Sequence, residues 1–173
     1  RDYFRFLCAK HGRSVWRPHG PVANKPRVDW ASGPTARSRF DAWRDGRTGV
    51  PFVDGHMREL QATGFMSNRG RQNVASFLVH NLHVDWRLGA AHFEEQLLDY
   101  DPSSNVGNWL SIAGLLGGRL NVFNVAKQAK QYDPDAKHAR LWCEELRGID
   151  ACRVHALPSM SAGERGAHAA DYP

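Results

Sequence analysis

Two arginines at a helix start need an explanation, because the free N–H groups there already favour anions. Arg69 and Arg71 stand at such a place, after Gly64-Phe65-Met66-Ser67, so that an aromatic, an amide (Asn68) and two guanidinium groups crowd one turn. The grouping calls for a negative partner: a carboxylate from elsewhere in the chain, or a bound phosphate-bearing or aromatic ligand. The run Asp99-Tyr100-Asp101-Pro102-Ser103-Ser104-Asn105 offers carboxylates. Pro102 disfavours helix at Asp101, so Asp99 and Asp101 are near-extended and project to one side, where Arg71 could hold one of two mutually repelling charges. A capping aspartate beside a surface salt bridge is the plainer account of that pair taken alone. Trp109 falls one turn beyond Asn105 on the same helix face. Trp86 follows Asp85 at another helix start, and Trp30 ends a Pro-rich loop. Taken singly, each of the six tryptophans reads as core before it reads as a redox partner.

Metal and disulfide chemistry find little support. Among nine histidines, His80 and His83 lie one turn apart, but no carboxylate or cysteine completes a ligand set, and no metal site is expected. Cys8, Cys143 and Cys152 form no CxxC pair and leave an odd number, which argues against a disulfide framework and for a reducing compartment.

The elements that must position these residues are helical. Gly12 to Pro34 carries four of the prolines and reads as a long ordered loop. From Thr35 the spacing predicts helices that place Phe40 and Trp43, then Val53, Met57 and Leu60, with Gly64 as a C-cap. Asn68 to Leu82 carries Val74, Phe77, Leu78 and Leu82 on one face, with Asn68, Arg71, Gln72 and Ala75 on another. Further helices are predicted over Leu88 to Leu98, Ser104 to Leu115 and Pro134 to Leu146, the last capped by Asp133. No alternating strand appears, so the fold class is all-α. After Gly148 the sequence is rich in Ala, Gly, Ser and His, and residues 148–173 are expected to form an extended or partly disordered tail.

The 173 residues suffice for one domain, with 42% hydrophobic and 24% charged residues and no apolar run near the roughly 20 needed to span a bilayer. A net charge of +5 suits an anionic partner or a merely basic surface, since the 23 basic residues are scattered. The chain opens on Arg1 in mid-helix, so a fragment or processed chain is expected, with no targeting signal in it.

At this point the residues spell a pattern. Arg47-Thr48-Gly49-Val50-Pro51-Phe52-Val53-Asp54, Met57-Arg58-Glu59-Leu60, Thr63 through Gln72, Asp85-Trp86-Arg87, Asp99 through Asn105, Gly107-Asn108-Trp109 and Lys127 through Pro134 closely resemble the photolyase/cryptochrome family. Ser67-Asn68-Arg69-Gly70-Arg71-Gln72 resembles its DASH branch. The match covers about residues 1–147, the C-terminal part of the helical FAD-binding domain. The family's N-terminal antenna domain and the helices just before Arg1 are not in the sequence.

The resemblance implies FAD as cofactor, contacted by Arg1, Phe65, Asn68, Arg71, Asp99, Asp101 and Asn105. Arg71 would pair with Asp99, and Asn105 would face flavin N5. It implies a photoreduction chain of Trp109, Trp86 and Trp30, from cofactor to surface. Arg69 and Gln72 would line the cavity that receives a flipped lesion, meeting phosphate and base edge. Three departures stand out: Ser111 in place of a stacking aromatic, a short apolar loop from Gly114 to Leu120, and His80-Asn81. Two readings follow. One is a blue-light flavoprotein, a DASH cryptochrome or cyclobutane pyrimidine dimer photolyase, acting on single-stranded or damaged DNA. The other is a truncated structural or interaction subunit without flavin, meeting protein partners through Leu115-Leu116. The antenna chromophore stays open, as does the choice among chloroplast, mitochondrion and cytoplasm for an intracellular protein.

Overall fold

Capping and turn residues divide the chain into helices. The computed structural model describes residues 2–22, 29–117, 120, 122–169 and 171–173. Helix α1 (Asp2–His11) runs into a 3-10 turn (Gly12–Trp16), and α2 spans Gly33–Arg44. Pro51 opens α3 (Pro51–Thr63) where its missing N–H has no partner to lose, and Gly64 closes it in the left-handed conformation at φ 69°, donating to Leu60 O. Then come α4 (Asn68–Ser76), a π-helical turn (Phe77–Asn81), α5 (Trp86–Gln96) capped by Asp85, and α6 (Pro102–Ile112) capped by Asp101. The chain continues with α7 (Val125–Tyr132), α8 (Lys137–Trp142), α9 (Ala151–Val154) and α10 (Ala162–His168). No strand occurs among the described residues, so the all-α expectation holds. Among the described residues no helix is long and apolar enough to cross a membrane.

The chain divides into two compact units. The first comprises residues 1–40 and 75–122 and packs α1, α5 and α6 together. Trp86, Trp109, Leu78 and Leu110 are among its largest buried side chains, each contributing about 1.5–3 kcal/mol by burial. Two glycines allow this packing. A Cβ on Gly107 would collide with the Phe4 ring, and one on Gly89 would collide with the Trp109 indole and come 2.7 Å from Leu78 Cδ2. The second unit comprises residues 41–74 and 123–173 and packs α3 on α7 and α8. Its Asp54 is fully buried, yet it accepts from Thr48 N at 2.8 Å, Thr48 Oγ1 at 2.6 Å, Gly49 N at 3.0 Å and the Tyr172 hydroxyl.

Four expectations change. The single helix over Asn68 to Leu82 is broken after Ser76 by the π-helical turn, in which Leu82 N bonds to Phe77 O and His80 Nε2 donates to Ile112 O at 2.8 Å. The helix expected over Pro134 to Leu146 starts later, at Lys137, because Ala136 takes a left-handed conformation at φ 51°. Asp133 still serves it, accepting from His138 N and Ala139 N, each at 3.0 Å. The residues from 148 onward are not extended: α10 carries a capping box of Ser161 and Glu164, and Ile149, Val154, Leu157 and Tyr172 bury apolar surface that composition alone did not reveal. Leu115 does not offer itself to a partner, since it is 1% exposed and lies against Gly20.

Candidate functional site

In the first unit the candidate residues collect along α5 and α6. Asp101 is extended (φ −133°, ψ 121°) and its Oδ1 accepts from Ser104 N at 2.8 Å, so the capping role foreseen for it is real, and Pro102 fixes where the helix begins. Asp99 is exposed in the turn before it. Asn105 is buried on the first turns of α6, and its Nδ2 donates to Ala90 O on α5 at 2.9 Å, which fixes the amide relative to both helices. Trp109, one turn on, is buried against Gly89, itself one turn along α5 from Trp86, and stacks edge-on with Phe93 at 5.2 Å.

The indoles then continue outward. Trp86 Nε1 and Trp30 Nε1 both donate to Pro18 O, each at 3.3 Å. One carbonyl in the Pro-rich loop thus holds the buried Trp86 and the half-buried Trp30 together. Trp16, 41% exposed, lies nearly parallel to Trp86 with ring centroids 6.0 Å apart. Sequence reasoning passed over Trp16. The available signal was a large aromatic placed in a segment otherwise rich in Gly, Pro, Arg and His.

The second unit carries the Gly64 to Gln72 stretch. Ser67 Oγ accepts from Gly70 N at 3.1 Å and caps α4. Phe65 is 54% exposed and Asn68 is exposed beside it. Arg71 turns back to donate from Nε to Met66 O at 2.8 Å. Arg69 Nη1 donates to Gln72 Oε1 at 3.0 Å, and its guanidinium sits 4.6 Å from the centre of the Tyr132 ring, which is 45% exposed. The two residues assigned to a lesion cavity are therefore joined to each other, and Arg69 to an aromatic that sequence reasoning did not single out, although it lies in the matched run Lys127 through Pro134. Ser111 is exposed on α6, and Arg1 lies outside the described residues.

The described residues thus define a class: an all-helical domain whose first unit gathers indoles along α5 and the Pro-rich loop and whose second unit carries a cluster of arginine, amide and aromatic. Residues 1–173 match the family described as the FAD binding domain of DNA photolyase, and the chain belongs to that family. It is 52% identical over 163 residues to the cryptochrome DASH of Danio rerio, covering 93% of this chain and 30% of that protein. Against the cryptochrome DASH of Gloeobacter violaceus it is 49% identical over 159 residues, covering 90% and 30%. The crystal structure of a Synechocystis cryptochrome superposes with a TM-score of 0.85 at 45% identity, covering 96% of this chain and 34% of that one. An archaeal photolyase from Sulfolobus tokodaii, solved with two FAD molecules, also gives 0.85, at 35% identity over 100% of this chain and 38% of that one. The chain thus spans about a third of the length of the relatives it matches.

Proposed function

We propose that this chain is the flavin-contacting part of a DASH-type flavoprotein driven by blue light, acting on pyrimidine dimers in single-stranded or damaged DNA. The observation that carries the reading is the indole array. Trp109 lies a turn from Asn105 and against Gly89, Trp86 follows a turn along α5, and Trp30 and Trp16 adjoin Trp86 toward the surface. A core needs no such ordered path to solvent. Membership of a family defined by FAD binding favours this reading over a flavin-free structural subunit.

The residues present fit FAD by the chemistry of their donors. The rim of an isoalloxazine ring offers an N–H, two carbonyl oxygens and ring nitrogens, and a carboxylate, amides and a guanidinium complement them. By resemblance, Asp99, Asp101 and Asn105 of the first unit are assigned to the cofactor; Arg1 and, in the second unit taken by itself, Phe65, Asn68 and Arg71 are assigned to it in the same way. When bound, FAD supplies the light absorption and the electron that cleaves the dimer. Asn105 would present a fixed amide to the cofactor, because Ala90 O holds its nitrogen. Trp109, Trp86 and Trp30 would relay an electron inward, with Trp16 as a second entry at the surface. Arg69 and Gln72 would contact DNA, charge meeting phosphate and amide meeting base edge.

The test is made on the natural protein that carries this chain. Purified and saturated with FAD, it is expected to show bound-flavin absorbance and to bleach under blue light with an external reductant. Trp109→Phe should reduce bleaching to a small fraction of wild type. Trp30→Phe and Trp16→Phe should each leave part of it, and the double variant should leave little. No bound flavin at saturation, or bleaching indifferent to Trp109→Phe, overturns the reading.

A further inference from the structure

Three side chains with no part in the flavin reading meet within the second unit. His56 and Glu59 lie one turn apart on α3, and His138 is on the first turn of α8. Glu59 Oε2 is 3.4 Å from His56 Nδ1 and 3.0 Å from His138 Nε2. The imidazole centroids are 4.2 Å apart with the planes tilted by 38°. One ligand atom from each residue lies within 4.8 Å of the other two.

The surroundings hold this arrangement without filling it. Phe52 packs edge-on against the His56 ring at 4.8 Å. Gly70 leaves room beside His56, since a Cβ there would sit 2.8 Å from Nδ1. His138 Nδ1 is buried without a hydrogen-bond partner, so the polar interactions of that ring rest wholly on the side facing Glu59. The His56, Glu59 and His138 side chains remain 8%, 17% and 25% exposed, enough to admit an ion from solvent. Two imidazoles and one carboxylate form a donor set of borderline softness, suited to Zn²⁺ and neighbouring divalent metals. Metal–ligand bonds of about 2.0–2.2 Å place tetrahedral donors ~3.4 Å apart, close to the 3.4 and 3.0 Å separations from Glu59.

We propose that His56, Glu59 and His138 bind one divalent transition-metal ion of the Zn²⁺ class, with water in the fourth position. Coordination bonds replace the two hydrogen bonds to Glu59, and the ion ties α3 to α8. The ion has a structural role, and Gly70 places it directly behind the turn that carries Arg69 and Arg71. His80 and His83, the pair closest in sequence, take no part: His80 bonds to Ile112 O, and His83 is exposed.

The test uses protein stripped with a chelator, then freed of the chelator and titrated with ZnCl2 by calorimetry and with CoCl2 by visible spectroscopy. Wild type is expected to take up one equivalent of Zn²⁺, to melt at higher temperature with Zn²⁺ present, and to show the ligand-field bands of four-coordinate Co²⁺. Since loss even of an outer partner weakens metal sites by about 10–100-fold, Glu59→Gln and His138→Ala should each raise the Zn²⁺ dissociation constant by ~100-fold or more. His80→Ala should leave it unchanged. Far-UV circular dichroism checks that the variants fold, and Glu59→Gln keeps the size of the original side chain while removing its charge. No uptake by folded wild type overturns the proposal by itself, as does an affinity that Glu59→Gln and His138→Ala leave intact.

Discussion

Arg58 shows how a single residue ties distant parts of the chain. It sits half-buried on α3, donating from Nε to Gly46 O at 3.0 Å and from both terminal nitrogens to Glu145, each at 2.8 Å. The hydrogen bonds from Arg58 hold the Glu145 carboxyl below its ordinary value of 4.5, outweighing the opposing effect of burial. A carboxyl depressed in the folded state adds stability above its unfolded value, and that stability is lost as pH falls through the folded value. Glu145→Gln is therefore expected to cost about 1–3 kcal/mol near neutral pH, where it removes a charge-assisted pair. Melting curves of the two proteins should converge as pH is lowered past the carboxylate range, and a gap that stays constant counts against this linkage. The sequence carries Met57-Arg58-Glu59-Leu60 as a matched run, yet the partner of Arg58 is 87 positions on and one partner of Glu59 is 79 positions on. No local spacing encodes pairs that distant, so neither ion pair nor metal cluster was legible. The caps at Gly64 and Asp101 were legible, because their cause is the backbone preference of the residue itself or of its neighbour.

At the scale of elements, the contact between α5 and α6 depends on an absent side chain. Trp109 occupies the space over Gly89, where a Cβ would collide with the indole and lie 2.7 Å from Leu78 Cδ2. Gly89→Ala is expected to overpack this seam and to destabilise the protein by about 1–3 kcal/mol. It should also slow photoreduction, because Trp109 must shift to make room. A variant with wild-type melting temperature and bleaching rate would show that the indole does not depend on that gap. Gly89 was not singled out in the sequence, since a helical glycine looks the same whether it weakens a helix or admits a ring. The helices themselves were largely legible: the apolar spacing of α3 and the Asp85-Trp86 start of α5 needed only local rules. The π-helical turn was not, since its wider hydrogen bonds are set by Val84, which donates to Leu78 O, and by His80 reaching the end of α6. The order after residue 148 was missed for a related reason. Tyr172 closes on Asp54, 118 positions earlier, and composition cannot register a partner of that kind.

For the molecule as a whole, the net charge of +5 and pI near 9.4 predict attraction to polyanions but do not say which surface uses it. The geometry around Arg69 narrows the choice, because its charge is not isolated: Gln72 accepts one N–H, and the exposed Tyr132 ring lies beneath the guanidinium. A strand bound there meets a cation and an aromatic face together, the combination that holds single-stranded nucleic acid with little regard to sequence. Each phosphate neutralised on a single strand contributes about 0.7 to the slope of log affinity against log salt. Arg69→Ala is expected to flatten that slope by roughly 0.7 for single-stranded DNA and to weaken binding. Arg69→Lys separates the two contributions, since it keeps the charge but loses the planar stacking on Tyr132. It should preserve the slope while lowering affinity at every salt concentration. If Arg69→Ala leaves both slope and affinity unchanged, the guanidinium serves only to anchor Tyr132 and Gln72, and the DNA surface must be sought among the other basic residues.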